Sequence, residues 1–233
     1  MSNSRLITYT RLSPNFSKRK KKISKITIHH MAGNLNVYRC GAIFANESRR
    51  ASSNYGIDTD GRIALYVDEA NRSWCSSNSA NDDVAVTIEV ANDGGAPDWH
   101  VSDKAMAALI DLCVDICQRN DIKRLNFTGN KKGNLTMHCY FAATECPGSY
   151  LKSKFSYIAK EVNKRLAAKD KFEIGNKVKL VSGAKYYDGK AISSWVFKKT
   201  LYVRSIDGER IVVSTLKSGA ITGAVDRKYL KKV

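Results

Sequence analysis

Short apolar runs separated by polar turns dominate the first two thirds of the chain. Lys25–His30 is a short run rich in β-branched residues, which predicts a buried strand. Ser53–Ile57 and Arg62–Val67 flank an Asp-Gly pair at 60–61, a pattern typical of two strands joined by a turn. Val84–Ala91 is almost continuously apolar, as expected for a central strand covered on both faces. We therefore predict four strands in this part of the chain.

Three further segments of the same region are predicted to be helical. Asn36–Arg50 is one of them. In Asp103–Arg119 apolar side chains recur at helical spacing, and Ser102 just before it is a good N-cap. Ser149–Ala167 carries a second apolar stripe of this kind. Strands interleaved with helices predict an α/β domain, which we assign to residues 1–168.

The pattern changes after residues 169–171. From there to Val233 short alternating segments are separated by turn residues, which predicts an all-β domain over residues 171–233. A segment of about 60 residues is long enough to fold alone if it closes into a small barrel. The predicted strands are Lys177–Val181, Gly183–Tyr187, Leu201–Ile206, Arg210–Ser214 and Ala224–Leu230.

Charge is the unusual feature of the composition. The 39 Lys and Arg residues outnumber the 22 Asp and Glu residues, which gives a formal net charge of +17. The C-terminal domain alone has 11 Lys and 3 Arg against 5 acidic residues, a net charge of +9. Such an excess favours polyanionic partners: nucleic acid, anionic lipid or a cell wall with anionic polymers. No helix-turn-helix, zinc-finger or single-strand-binding signature supports binding to nucleic acid, so we expect no nucleic-acid partner.

The sequence also predicts where the chain is made. Its N-terminus lacks the basic and apolar regions of a signal peptide, and no segment approaches the ~20 apolar residues that span a bilayer. We therefore expect a chain made in the cytoplasm without membrane insertion. In that compartment the six cysteines are expected to be thiols.

Three residues have the chemistry of a metal site. His29 lies near the end of a predicted strand, and His138 and Cys146 are eight residues apart in a segment that ends Cys-Pro-Gly. Two imidazoles and one thiolate form a three-ligand set for Zn²⁺ that leaves the fourth position for water or substrate. Zinc with an open position activates water or polarises a carbonyl, which is hydrolytic chemistry.

Four segments in this order resemble the type-2 N-acetylmuramoyl-L-alanine amidases. They are Ile26–Gly33, Asp58–Ile63, Thr87–Asp93 and Met137–Gly148. The family includes phage endolysins, bacterial autolysins and the animal peptidoglycan recognition proteins. The resemblance covers roughly residues 20–167 and implies an α/β fold with a central mixed β-sheet flanked by helices.

The resemblance also implies roles for individual residues. His29, His138 and Cys146 would hold Zn²⁺ in an enzyme that cleaves the amide between N-acetylmuramic acid and L-alanine of the peptidoglycan stem peptide. Glu89 would be the catalytic base, and its position in an otherwise apolar strand supports this, because a buried carboxylate is costly unless it is used or paired. Thr144 is expected to donate a hydrogen bond near the reacting carbonyl.

One position departs from the family pattern. Some relatives have a catalytic tyrosine eight residues before the glycine at 61, where this chain has Ser53. Tyr55 lies two positions later and would share a strand face with Ser53, so its substitution for that tyrosine is left open. The residues expected at the rim of the cleft, in contact with glycan or stem peptide, are Trp74, Asn92 and His100.

The C-terminal domain resembles the bacterial SH3-like cell-wall-binding domains appended to endolysins and autolysins. Tyr186, Tyr187 and Trp195 would contact the wall, although for Trp195 a place in the core is equally open. The whole chain would then be a monomeric endolysin that acts on a Gram-positive wall after release. Its partners would be peptidoglycan and anionic wall polymers. The alternative is a non-catalytic peptidoglycan-binding receptor, but such relatives typically lack the third ligand, and Cys146 is present here.

Overall fold

Two groups of strands, separated along the chain, organise the computed structural model, which describes residues 2–170 and 172–233. The chain divides into a unit formed by Met1–Leu166 and a unit formed by Ala167–Val233. Each unit has a buried apolar core of its own, so each is described by itself.

The elements of the N-terminal unit are eight strands and four helices in the described residues. The strands are β1 (Tyr9–Thr10), β2 (Phe16–Lys18), β3 (Lys25–His30), β4 (Tyr55–Ile57), β5 (Ile63–Leu65), β6 (Asn71–Ser73), β7 (Ala85–Val90) and β8 (Leu135–Met137). The helices are α1 (Val37–Phe44), α2 (Ser79–Asp82), α3 (Asp103–Arg119) and α4 (Gly148–Asp170), with 3₁₀ turns at Glu47–Arg49 and His138–Tyr140.

Six strands form the central sheet in the order β1-β5-β4-β7-β3-β8. Strand β3 runs parallel to both β7 and β8, and β4 runs parallel to β7 but antiparallel to β5. The predicted α/β fold with a central mixed sheet flanked by helices is therefore confirmed. Strands β2 and β6 form a separate antiparallel pair.

The register of the two central strands places an acidic side chain beside a candidate metal ligand. Ile28 of β3 pairs with Ile88 of β7, and both are fully buried in the core. The next pair along is His29 with Glu89, so these two side chains leave the same face of the sheet. Because parallel strands end at the same edge, that edge becomes a natural place for a site.

The predicted helix Asp103–Arg119 is confirmed as α3, with its N-cap. The Ser102 hydroxyl accepts a hydrogen bond from the Ala105 amide at 3.1 Å, which satisfies one unpaired amide of the first turn. The apolar face of α3 packs into the core with Cys113 and Cys117 buried as free thiols.

The first predicted helix is shorter than the pattern suggested. Asn36 caps α1 by accepting a hydrogen bond from the Arg39 amide, and α1 ends at Phe44. Asn46 then accepts a hydrogen bond from the Ser48 amide and begins a separate 3₁₀ turn. A polar side chain that bonds to the nearby backbone competes with helix continuation, and the pattern of apolar residues does not reveal it.

The C-terminal unit is a five-stranded antiparallel sheet with one short helix, α5 (Ser194–Phe197), that the sequence did not predict. The strand order is β12-β11-β10-β9-β13. The strands are β9 (Lys177–Leu180), β10 (Leu201–Asp207), β11 (Arg210–Ser214), β12 (Gly223–Asp226) and β13 (Leu230–Lys232). An all-β unit was predicted from the alternation; its SH3-like classification stays a prediction.

Two of the predicted C-terminal strands are wrong in detail. Gly183–Tyr187 forms only isolated bridges, Lys185 with Ala191 and Tyr186 with Val225, because the chain turns back at the following Asp-Gly pair. The segment Ala224–Leu230 is split by a 3₁₀ turn, which begins where the Asp226 side chain accepts a hydrogen bond from the Lys228 amide.

Of the helices that the structure describes, none is both long enough and apolar enough to cross a membrane.

Candidate active site

Three neighbouring segments bring His29, His138 and Cys146 together. His29 lies in β3, and His138 follows β8, the strand beside β3, so both leave the same edge of the sheet. Cys146 precedes Pro147 and Gly148, where α4 begins. Gly148 has a φ of +84°, and a Cβ atom added there would lie 2.9 Å from the Cβ of Trp99, so only glycine fits at this turn.

The three side chains form a compact set of donor atoms. One nitrogen from each histidine and the Cys146 sulfur all lie within 4.8 Å of one another. Cys146 Sγ is 3.7 Å from His29 Nδ1. Tetrahedral zinc with ordinary Zn–S and Zn–N bonds holds such atoms ~3.6 Å apart, so this spacing suits the ion. The Nε2 atoms of His29 and His138 are buried without a hydrogen-bond partner among the described residues.

The protonation of these groups also suits a cation. Burial, helped by the nearby His138 and His30, lowers the pKa of His29 well below its usual range, and burial lowers the pKa of His138. Both imidazoles are therefore neutral near pH 7 and offer a lone pair. Burial raises the pKa of the Cys146 thiol, so a bound cation must displace its proton.

Glu89 lies beside this donor set without a basic partner. Its Oε2 atom is buried and makes no hydrogen bond within the described part of the chain, and its Oε1 atom is 3.8 Å from Cys75 Sγ. Burial raises the pKa of Glu89 to about 8, against the opposing effects of the Cys75 contact and the charge of Arg49. No ion pair to a described lysine or arginine accounts for this carboxylate.

A pocket of about 810 Å³ opens over these groups. Trp74, Glu89, His138, Thr144 and Cys146 all line it, so two of the predicted metal ligands, the predicted base and the predicted hydrogen-bond donor border one cavity. The third predicted ligand, His29, is buried and does not border the cavity. The Thr144 hydroxyl oxygen accepts a hydrogen bond from the Cys146 amide at 3.2 Å, which leaves its O–H free to donate into the cavity.

Comparison with known proteins identifies the family. The family described as N-acetylmuramoyl-L-alanine amidase matches residues 19–149, more than half of the chain. The chain belongs to this amidase family. No curated protein matches it.

Solved structures share the fold of the amidase region at low sequence identity. The Staphylococcus aureus hydrolase AmiA in complex with its ligand is 16% identical with a TM-score of 0.56, covering 72% of this chain and 86% of that one. A mutant endolysin from Bacillus subtilis is 18% identical with a TM-score of 0.51, and the match covers 67% of this chain and 99% of that one. An AmpD derivative is 19% identical with a TM-score of 0.52, covering 68% and 99%. At these identities the likeness shows a shared fold.

Of the three residues predicted at the rim of the amidase cleft, only Trp74 lines the pocket. The Asn92 side chain is buried and donates to the Trp99 carbonyl at 2.7 Å, which holds the following loop. His100 bonds through Nδ1 to an Asp93 carboxylate oxygen at 2.7 Å, in the same loop. Asn92 and His100 therefore support the loop, and neither borders the pocket.

Tyr55 does not face the pocket. Its ring is fully buried in the core, and its hydroxyl donates to Glu69 Oε1 at 2.6 Å and accepts from the Ser4 amide at 3.0 Å. Ser53 is buried as well, and its hydroxyl donates to the Tyr55 carbonyl. Tyr55 therefore does not supply a hydroxyl to the pocket.

Sequence reasoning missed the loop that carries Cys75. The buried Asp82 carboxylate accepts hydrogen bonds from the Cys75 and Ser76 amides and from the Ser76 hydroxyl, which fixes the loop beside the pocket. The run of small polar residues after Trp74 is the one signal that could have indicated an ordered loop here. That run does not predict the contact of Cys75 with Glu89.

Of the predicted wall-binding aromatics of the C-terminal unit, Tyr187 and Trp195 are exposed, whereas Tyr186 is half-buried against the core. Tyr186 and Tyr187 line a groove of about 470 Å³ together with Lys190 and Arg210. Trp195 lies outside that groove but is 53% exposed, so the interpretation that it belongs to the core is wrong. The side chain that α5 buries is that of the next residue, Val196.

Proposed function

We propose that this chain is a zinc-dependent N-acetylmuramoyl-L-alanine amidase. The observation that supports this best is the convergence of the donor atoms of His29, His138 and Cys146, two of which border a pocket that Glu89 also lines. Zinc bound by these three residues would lower the pKa of a bound water and polarise the scissile carbonyl. The substrate would be the amide between N-acetylmuramic acid and the L-alanine of the stem peptide.

Glu89 is the proposed base. Its carboxylate lies beside the donor set and has an oxygen that no described group occupies, so it is free to take a proton from the attacking water. Its raised pKa of about 8 is close to neutral pH, so the carboxyl group can both take up and release a proton. A bound cation would lower this pKa. The same carboxyl group would then give the proton to the leaving amine of L-alanine.

Thr144 is the proposed hydrogen-bond donor to the reacting carbonyl. Its oxygen is held by the Cys146 amide, so its O–H points away from that contact. A hydroxyl brings no positive charge, so its contribution to oxyanion stabilisation is smaller than that of a lysine would be.

We further propose that the C-terminal unit is an SH3-like domain that binds the cell wall. Its net charge of +9 favours anionic wall polymers, and Tyr187 and Trp195 are large, exposed side chains that can pack on sugar or peptide. Tyr186 would form the floor of the groove beside Tyr187. The whole chain would act as a monomeric endolysin on a Gram-positive wall after release.

Digestion of purified peptidoglycan tests the proposed reaction. The purified protein is incubated with wall fragments after chelator treatment and again with zinc added back, and new N-terminal alanine and new reducing sugar ends are both quantified. Zinc-dependent alanine ends without reducing ends are the expected result. Reducing ends would instead indicate a glycosidase. Binding without either product would favour the non-catalytic receptor.

A further inference from the structure

Two thiols that line the pocket, Cys40 and Cys75, have no role in the proposed reaction, and Cys75 is the one in contact with Glu89. Cys75 follows β6, and its side chain lines the same cavity as Glu89. Its sulfur is the only described hydrogen-bonding partner of the Glu89 carboxylate, at 3.8 Å from Oε1. The contact joins a soft donor atom and a hard one at a distance close to the ~3.5 Å that two ligands of one tetrahedral zinc ion keep.

His29 completes a second donor set on this side of the pocket. One ligand atom from each of His29, Cys75 and Glu89 lies within 4.8 Å of the others. Glu89 Oε2 and His29 Nε2 are both buried and form no hydrogen bond with any described residue. Buried polar atoms without partners are costly, and a cation bound between them would satisfy both.

The backbone that carries these donors is already fixed. His29 and Glu89 are paired neighbours on the parallel strands β3 and β7. The Cys75 amide donates to Asp82 Oδ2 at 3.1 Å, and this anchors the loop that presents the thiol. A donor set held by three ordered segments binds a cation without first ordering a loop.

We propose that His29, Cys75 and Glu89 form a second, alternative binding position for a zinc-like divalent cation in this pocket. Its nitrogen, sulfur and oxygen donors suit Zn²⁺, Co²⁺ and Cd²⁺. Binding displaces the Cys75 thiol proton to solvent and leaves the cation bound to the thiolate. A neutral histidine offers one lone pair, so His29 cannot serve this position and the His138–Cys146 position at the same time.

The alternative position would hold a cation unproductively. A cation there would bind the Glu89 carboxylate, which would no longer accept a proton from water. This consequence rests on the proposed function, whereas the binding position itself does not. A cation could therefore be bound to the protein, at the second donor set, without supporting catalysis.

Cobalt(II) titration of Cys146→Ser tests the proposal, because this variant lacks the first donor set but keeps the second. Thiolate bound to Co²⁺ gives a charge-transfer band in the near ultraviolet. We expect C146S to bind Co²⁺ with such a band, and C146S/C75S to lose the band and at least tenfold in affinity. C146S/C40S is the matched control, since Cys40 also lines the pocket but belongs to neither donor set, and it should keep the band.

Two results would overturn the proposal: C146S without a thiolate band, or a band that persists in C146S/C75S. Thermal unfolding of each variant, and Cys146→Ala as a second background, show whether the variants are folded. Cys75→Ser alone should still bind Co²⁺ through Cys146, and its failure to do so would make Cys75 a purely structural residue. If the variants show the expected cobalt bands but the wild-type protein releases no alanine from peptidoglycan, the proposed function alone is refuted.

Discussion

Two glutamates in the N-terminal unit, Glu69 in the core and the half-buried Glu89, have opposite surroundings. Glu69 is fully buried beside α3, where it accepts hydrogen bonds from the Tyr55 hydroxyl, from both Arg119 guanidinium nitrogens at 2.7 and 2.8 Å, and from Asn120. Glu89 lines the pocket with one weak thiol contact and one oxygen without a described partner.

This difference separates a structural carboxylate from one available to a ligand. A carboxylate in the interior is tolerated when its charge and its lone pairs are matched, as they are around Glu69. Around Glu89 the described side chains supply only the Cys75 contact and the charge of Arg49, and its pKa is still raised to about 8, so much of its desolvation remains uncompensated. Groups of that kind concentrate at functional sites.

The largest effect is expected for Cys146→Ser, which removes a donor beside Glu89. If the proposed zinc is lost with this ligand, several kcal/mol of charge stabilisation would be lost with it, which corresponds to a loss of amidase activity of about 10³-fold or more. Release of N-terminal alanine from peptidoglycan measures it. Cys139→Ser is the matched control, because Cys139 lies outside both donor sets, and it should retain activity. An inactive C139S with an active C146S would reverse the ligand assignment.

Glu89→Gln should reduce activity by about 10²- to 10⁴-fold, the usual contribution of a general base. Its folding stability should not fall, because a neutral amide avoids the desolvation of a charge. Activity and thermal unfolding are measured on the same preparation. Activity within tenfold of the wild type would show that Glu89 is not the base.

Glu69→Gln should show the reverse. It removes the negative charge of Glu69 from the guanidinium of Arg119, which is only 17% exposed and keeps Asp115 as a second partner, so the free energy of unfolding should drop by about 3 kcal/mol. Activity per folded molecule at low temperature should stay close to that of the wild type. Denaturant unfolding with a parallel assay checks both. A stable but inactive E69Q would remove the distinction between the two glutamates.

The pH dependence of stability gives an independent test on metal-free protein. Folding raises the pKa of Glu89 from its usual 4.5 to about 8, so between these values the folded chain keeps a proton that the unfolded chain has released. Stability contributed by this group therefore falls as the pH rises through that window, by at most about 1.4 kcal/mol per pH unit. Between pH 4.5 and 8 the slope of unfolding free energy against pH should be less negative in E89Q than in the wild type. An unchanged slope would refute the raised pKa.

How far the sequence predicted this site depends on the residues concerned. His29, His138 and Cys146 belong to local motifs, and Glu89 is the one acidic residue of an apolar strand, so all four could be named in advance. Their convergence rests on the order of strands β7, β3 and β8.

Other features depend on tertiary contacts that no local pattern records. The contact of Cys75 with Glu89 requires the loop that Asp82 holds. His100 was expected at the rim of the cleft, but its side chain bonds to Asp93 in the same loop and does not border the pocket. In the C-terminal unit the apolar alternation of residues 183–187 predicted a strand, and the turn that follows prevents it from forming.

The smallest effect is expected for Tyr55→Phe, which removes one hydrogen bond from Glu69 and leaves its charge partner in place. A buried hydroxyl that bonds to a charged acceptor contributes about 1.5–3 kcal/mol, and Arg119 and Asn120 remain to satisfy the carboxylate, so the lower end is expected. Tyr157→Phe, at a position 49% exposed, should change stability by less than about 0.5 kcal/mol. Because the Tyr55 hydroxyl points into the core, amidase activity should not change. A large loss of activity in a stable Y55F would mean that Tyr55 reaches the substrate after all.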